Sequence, residues 1–292
     1  MFKNEIVSQV INYIESNIDN PITIETLATY SGFSRRYIQV IFKELMGMPI
    51  GQFVRNKRIM RAATLLRLTS TPVIEIAYQL QFDSQQSFTR EFKKISGYTP
   101  SAYRKAKYWN LSLYKSPFLS NEKTPEPPLL CSLLGGVITG YQISYEEPIP
   151  CPRIIGEYRW ENILRFKNKK MKDIWLLTEF SPCVRNSQSM NVKTAIGTLS
   201  FHNDNITTKY EYPHGVYAVF SFKGTRDEYH RRIKEIYYHI LPFWGYNRGT
   251  GPDVECFHYV EGEDESIIFC DTYIPIQAHE NENENMNDSQ VA

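Results

Sequence analysis

Two rows of side chains, about fifty residues apart, have the chemistry needed to read the edges of base pairs. The first row is Arg35, Arg36, Gln39, Val40 and Lys43; the second is Gln85, Gln86, Thr89, Arg90 and Lys93. Arginine pairs bidentately with guanine, glutamine pairs with adenine, and a Val or Thr methyl packs on the thymine methyl. Steps of three and four residues put each row on one face of a helix. The opposite faces are apolar: Tyr37, Ile38, Ile41, Phe42 and Leu45 in the first, Phe88, Phe92 and Ile95 in the second. One such row would pass for a solvated helix face. Two rows at a fixed offset in a basic segment point to double-stranded DNA read in the major groove.

A second constellation lies far downstream. In DVECFHY, strand alternation puts Glu255, Phe257 and Tyr259 on one face and Cys256 and His258 on the other. With Trp244 just upstream, an acid among aromatic rings suits an amphipathic or cationic ligand. The competing reading is a surface glutamate at a strand start beside core aromatics. Cys256 and His258 lack an apparent third group to orient them as a nucleophile pair. His230 and His239 are not expected to form a metal site. No phosphate-cradling glycine motif occurs, and Gly249-Thr250-Gly251 reads as a turn. No catalytic residue, metal or cofactor is expected, and the chain does not read as an enzyme.

The elements that position the two rows are legible from caps and periodicity. Val7, Val10, Ile11, Ile14 and Ile18 form an amphipathic helix closed by Asn20 and Pro21. Thr23 is placed to cap a short helix to Tyr30, Ser31-Gly32 makes a turn, and Ser34 caps a helix ended by Gly47. A helix from about Gly51 to Leu68 follows, bearing Arg55, Lys57, Arg58, Arg61 and Arg67. Thr71 and Pro72 have cap-then-first-position chemistry, and Asp83 with Gln86 looks like a capping box before a helix ended by Gly97. The pattern repeats: Ala28, Phe33, Phe42 and Gly47 find partners in Ala77, Phe82, Phe92 and Gly97, with one residue inserted in the second turn. Each copy is a helix-turn-helix. The joining helix of about 17 residues spans roughly 26 Å, and with its turns could hold two reading helices about one DNA turn, near 34 Å, apart.

Charge divides the chain at the same place. Residues 1–107 carry 15 Lys/Arg against 8 Asp/Glu, and residues 108–292 carry 18 against 24, so a +7 half precedes a −6 half. A polyanion suits only the first. All four tryptophans and 14 of 20 tyrosines lie in the second. Residues 108–128 read as a linker, and 129–276 as an α+β domain with strand-like runs around helical patterns at about 157–179 and 226–244. Residues 277–292 read as a disordered tail. The N-terminus lacks the continuous apolar segment of a signal peptide, and no run is long enough to span a bilayer. The expected home is the cytoplasm, with Cys131, Cys151, Cys183, Cys256 and Cys270 as reduced, buried thiols.

Residues 5–107, with GFSRRYIQVIFKELMG and IAYQLQFDSQQSFTREFKK, resemble the double helix-turn-helix of the AraC/XylS regulators, most closely the Rob-type branch. The resemblance places base-reading positions at Arg36, Gln39, Val40, Gln85, Gln86, Thr89 and Arg90. This chain departs from it in having Arg36 where the branch has Trp and Val40 where it has Arg. The second half, especially 210–276, is similar to GyrI-like effector-binding domains, in which an acid at the position of Glu255 meets cationic or amphipathic ligands. The resemblance implies bacterial origin, activation of transcription and contact with RNA polymerase. An architectural or origin-binding role, and a hydrolase tethered to DNA, are the alternatives.

Overall fold

The computed structural model describes residues 2–115, 124–149, 157–170, 173–199, 208–262 and 266–278. Seven helices come first: α1 (Phe2–Ser16), α2 (Ile24–Ser31), α3 (Arg35–Met46), α4 (Ile50–Leu68), α5 (Val73–Gln79), α6 (Gln85–Ser96) and α7 (Pro100–Lys105). Local chemistry sets their ends. Ser34 Oγ accepts from the Tyr37 N–H at 3.3 Å to start α3, and Gly47 takes the left-handed φ of 68° that ends it. Ser84, not Asp83, caps α6, in a reciprocal pair with Ser87. At the start of α5 the cap position is Pro72. The Thr71 hydroxyl donates instead to the Ser187 carbonyl at 2.6 Å, across to the second half.

The second turn repeats the left-handed residue of the first, but without a glycine. Gly32 turns the first unit with φ 74°, and in the second Gln81 does so with φ 61°, alone among described non-glycine residues in that region. The conformation costs a side-chain-bearing residue about 1–2 kcal/mol. The Gln81 amide offsets part of it by donating to the Asp19 carbonyl at 3.0 Å, tying the second turn to the loop after α1.

The second half is an antiparallel sheet of nine strands among the described residues. They are β1 (Leu129–Leu133), β2 (Gly136–Pro148), β3 (Ile174–Pro182), β4 (Ser189–Leu199), β5 (Thr208–Tyr212), β6 (Gly215–Gly224), β7 (Tyr246–Arg248), β8 (Asp253–Phe257) and β9 (Ile268–Ala278). Their order is β1-β6-β9-β8-β3-β4-β2-β5, with β7 on β9. Helix α8 (Glu157–Lys170) and helix α9 (Arg226–Glu235), extended by a π turn at Ile236–Ile240, complete the α+β unit. The expected helix at 157–179 thus ends by 170. Ile174-Trp175-Leu176-Leu177 is instead the start of β3, pairing with both β4 and β8. Strands β1, β5 and β7 were not foreseen.

Four buried clusters are found among the described residues, and the boundary between the two that hold the helices does not follow the charge boundary. The first helix-turn-helix has its own core of Val10, Ile14, Leu27, Ile38, Phe42 and Phe53. The second shares one with the sheet domain, where Leu66, Phe88, Phe92 and Tyr103 form one cluster with Trp109, Phe220, Tyr237 and Ile274. Part of the expected linker is therefore structural. Trp109, Leu111, Leu113 and Tyr114 are buried, and Trp109 exchanges backbone hydrogen bonds with Arg248 at 3.0 and 3.1 Å. Gln277 and Ala278, placed in the tail by sequence, end β9. The remainder of that expected tail and Cys151 lie outside the described residues. Cys183, Cys256 and Cys270 are buried free thiols, and Cys131 is partly exposed.

Cutting the chain after residue 107 removes these aromatic and aliphatic contacts from the second unit only. Such losses are worth about 3 kcal/mol or more, so hydrogen exchange in α6 and α7 should quicken roughly a hundredfold. Exchange in α3 should stay as in the full chain. Equal acceleration of both units, measured by mass spectrometry, would contradict the two-core arrangement.

Candidate functional site

The two polar rows stand on α3 and α6 as their spacing requires. Arg35, Arg36, Gln39, Val40, Lys43, Gln85, Gln86, Arg90 and Lys93 are exposed, and Thr89 is half-buried. Beneath them Ile38, Ile41, Phe42, Phe88 and Phe92 are buried. Gln39 and Lys43 of the first row and Arg90 of the second border a common cleft of about 760 Å³ between the units, with Arg55 and Arg58 of α4; the other seven residues of the two rows do not line it. Arg35 is held back by Glu25 at 2.7 Å.

The basic side chains of α4 mostly brace the fold. Arg58 donates to the Ile18 and Asn20 carbonyls at 3.3 and 2.9 Å. Arg67 donates to those of Tyr103, Arg104 and Ala106 after α7 begins to end. Lys57 pairs with Glu15 at 2.5 Å. Arg55, 57 % exposed, pairs loosely with Glu91 of α6 at 4.0 Å.

The second site is a cavity of about 550 Å³ where α4 meets the sheet domain, of a size ordinary for small ligands. Met60, Thr64 and Leu68 of α4 line one side, and Tyr145, Met190 and Val192 of the sheet line another. Two buried carboxylates of β8, Asp253 and Glu255, two residues apart and so on one face, form its polar end. Each has an arginine and a tyrosine. Glu255 accepts from Arg159 and from the Tyr229 hydroxyl. Asp253 accepts from Arg248 at 2.8 Å and from the Tyr237 hydroxyl. Burial opposes charge on both guanidiniums, but the facing carboxylates together with the neighbouring tyrosines outweigh it and raise the pKa of Arg159 and Arg248. Burial, then the same carboxylates, push Tyr229 and Tyr237 up, so both hydroxyls stay protonated as donors.

This geometry changes the expected ligand site. Glu255 does line the cavity, but its charge is already met by Arg159. Phe257 shares its face yet packs into a neighbouring core against Trp160 and Tyr229. Strand β8 ends at Phe257, so Tyr259 leaves the alternation, and its N–H donates to Asp173 at 3.0 Å. Trp244 is exposed, its indole N–H donating to the Pro125 carbonyl at 3.2 Å. Neither Tyr259 nor Trp244 lines the cavity. Among the described residues, the buried polar atoms of the lining without a hydrogen-bond partner are all nitrogens: Arg159 Nε, His230 Nε2, Trp109 Nε1, and Nε and one terminal nitrogen of Arg61. Lys234 adds a cation to the lining.

Sequence reasoning missed Arg159, Tyr229, Arg248 and Tyr237. A signal existed only for Tyr229, which falls on the inward face of α9; the arginines become meaningful once the chain has brought them against β8. It also missed two carboxylates at His258: Nδ1 lies 3.2 Å from Asp173 and Nε2 2.9 Å from Asp271.

Removing Arg159 would leave Glu255 buried and unpaired. Arg159→Met should cost about 3–5 kcal/mol in urea unfolding, and Arg159→Met with Glu255→Met should recover most of it. Burial, then Arg226 and Arg159, push His230 down from 6.5 to about 4. Between those values the unfolded chain binds the extra proton, so stability falls as pH drops through that window. Substituting His230→Gln should flatten that slope.

The comparisons with known proteins agree with this division. The description "Helix-turn-helix domain" matches residues 27–106, and "GyrI-like small molecule binding domain" matches residues 157–277. The F1 operon positive regulatory protein of Yersinia pestis is 35% identical over 94% of this chain and 89% of its own length. The right origin-binding protein of Escherichia coli K12 is 26% identical over 93% of this chain and 98% of its own length. The HTH-type transcriptional activator AarP of Providencia stuartii is 41% identical over 35% of this chain and 76% of its own length. With a double helix-turn-helix built on α2–α3 and α5–α6 and a GyrI-like domain behind it, the chain belongs to the AraC-type transcription regulators of the Rob type.

Proposed function

We propose that this DNA-binding regulator reads two neighbouring major-groove segments through α3 and α6, and that an amphipathic molecule in the cavity beside α4 biases that reading. The observation behind the first clause is the common cleft bordered by Gln39, Lys43 and Arg90. Exposed Gln39, Gln85 and Gln86 suit adenine, Arg36 and Arg90 suit guanine, and Val40 and Thr89 offer methyls to thymine. Lys43, Lys93 and Arg55 are left for phosphates, the sequence-independent part of affinity.

For the effector, an apolar body with an acceptor or anionic head fits better than a cation. The buried carboxylates Asp253 and Glu255 are matched by arginines and Glu15 of the lining by Lys57, whereas Arg159 Nε and His230 Nε2 await an acceptor or donor. The names of the Yersinia and Providencia relatives favour activation, and with it contact with RNA polymerase. The name of the right origin-binding protein keeps an origin-binding role as the second reading, and promoter-dependent transcription with purified components separates the two. Among the described residues no helix is long and apolar enough to cross a membrane, which is consistent with work in the cytoplasm.

Two measurements test this reading. On a site selected from random duplexes, Gln39→Ala and Arg90→Ala should each cost about 1–3 kcal/mol while leaving random DNA unaffected. Equal losses on both DNAs would reduce them to phosphate contacts. Calorimetry with 2-naphthoate, 2-naphthol and 2-naphthylmethylammonium, which share one apolar body, should rank the carboxylate first and the ammonium last. The reverse order would restore the cation reading of Glu255.

A further inference from the structure

The face of the sheet opposite Glu255 holds a second cluster. Cys256 stands on β8, and His258 follows just past the strand's end, its N–H still donating to the Phe269 carbonyl of β9 at 2.9 Å. Asp173 immediately precedes β3, whose register with β8 pairs Ile174 with Phe257, so Asp173 falls opposite His258. Asp271 stands on β9 opposite Cys256. Three adjacent strands thus bring one thiol, one imidazole and two carboxylates together.

The distances match a coordination shell. His258 Nδ1 lies 3.7 Å from Cys256 Sγ and 3.2 Å from Asp173 Oδ2, and the three atoms lie within 4.8 Å of one another. Zinc–sulfur bonds of about 2.3 Å and zinc–nitrogen or zinc–oxygen bonds of about 2.0–2.2 Å put tetrahedral ligand atoms roughly 3.3–3.6 Å apart.

The remaining atoms of the same side chains are engaged elsewhere. His258 Nε2 meets Asp271 Oδ2 at 2.9 Å, the carboxylate-to-histidine contact that fixes a metal-binding tautomer. The Ser221 hydroxyl donates to the other Asp271 oxygen at 2.6 Å. The Tyr259 N–H holds Asp173 Oδ1, leaving Oδ2 toward the cysteine and histidine.

We propose that Asp173, Cys256 and His258 form a three-ligand zinc site with its fourth position open to solvent. Thiolate with imidazole selects a borderline-soft divalent cation over magnesium or calcium. The open position follows from exposure, since the Asp173 and His258 side chains are 50% and 35% exposed while Cys256 is buried. Thiolate and neutral imidazole are the forms that bind a metal, so binding expels protons and affinity rises with pH.

The test uses the untagged full chain, stripped with chelator and titrated with Co2+ and Zn2+. One equivalent of Co2+ should produce a thiolate-to-cobalt charge-transfer band that Zn2+ abolishes, and Zn2+ should raise the melting temperature. Cys256→Ser should lose the band. Asp271→Ala should weaken zinc about 10–100-fold, and exposed Asp173→Asn, which spares the core, about tenfold or more. Absence of the band in the wild type, or Asp173→Asn binding zinc as tightly as the wild type, overturns the site. Should Cys256→Ser not fold, those two results decide alone.

Discussion

Helix α4 has to serve two cores at once, and the rest of the molecule is arranged around that constraint. Near its start Ile50, Phe53 and Val54 close the core of the first helix-turn-helix. Further along, Ile59, Ala62, Leu65 and Leu66 belong to the core that the second unit shares with the sheet domain. Because different sides of α4 are buried along its length, neither unit can turn about the helix without opening apolar surface to water. The cavity lies on this same helix, against Met60, Thr64 and Leu68. A molecule filling it touches the element that sets the spacing of α3 and α6.

Electrostatics support this placement. Two buried carboxylates on β8 would each destabilise the fold if left alone, and each is met by an arginine and a tyrosine hydroxyl. Pairs of this kind add little net stability over apolar residues but fix geometry sharply, because any displacement strands a buried charge. Arg248 also sits where Trp109 pairs with the sheet backbone, so one triad anchors the segment between the two halves. The other, through Arg159, joins α8 to β8.

Much of this was legible in the sequence because it is local. Caps at Ser34, the glycine stops at Gly47 and Gly97, and the fifty-residue repeat depend on neighbours a few residues away, and the exposed rows follow from helical period alone. What was illegible is long-range. Ile174–Leu177 has the apolar run of a buried strand, which continues a helical pattern equally well until β4 and β8 flank it. Trp109 and Tyr114 sit in a stretch whose composition is that of a linker, and only their partners in the sheet make them core. Glu255 was found by its motif position, but Arg159, which meets its charge, lies 96 residues away. Asp83 and Ser84 are equally good caps by type. The added residue in the turn decided between them.

The most direct test is of coupling between the two sites. With the full chain on its selected DNA site, the dissociation constant should be measured with the cavity empty and again with 2-naphthoate at saturation. If α4 transmits occupancy to the recognition helices, affinity should change by about 5–150-fold, a coupling of about 1–3 kcal/mol, and DNA should change naphthoate affinity by the same factor. Naphthoate that binds in the cavity and leaves the DNA dissociation constant unchanged would contradict the account.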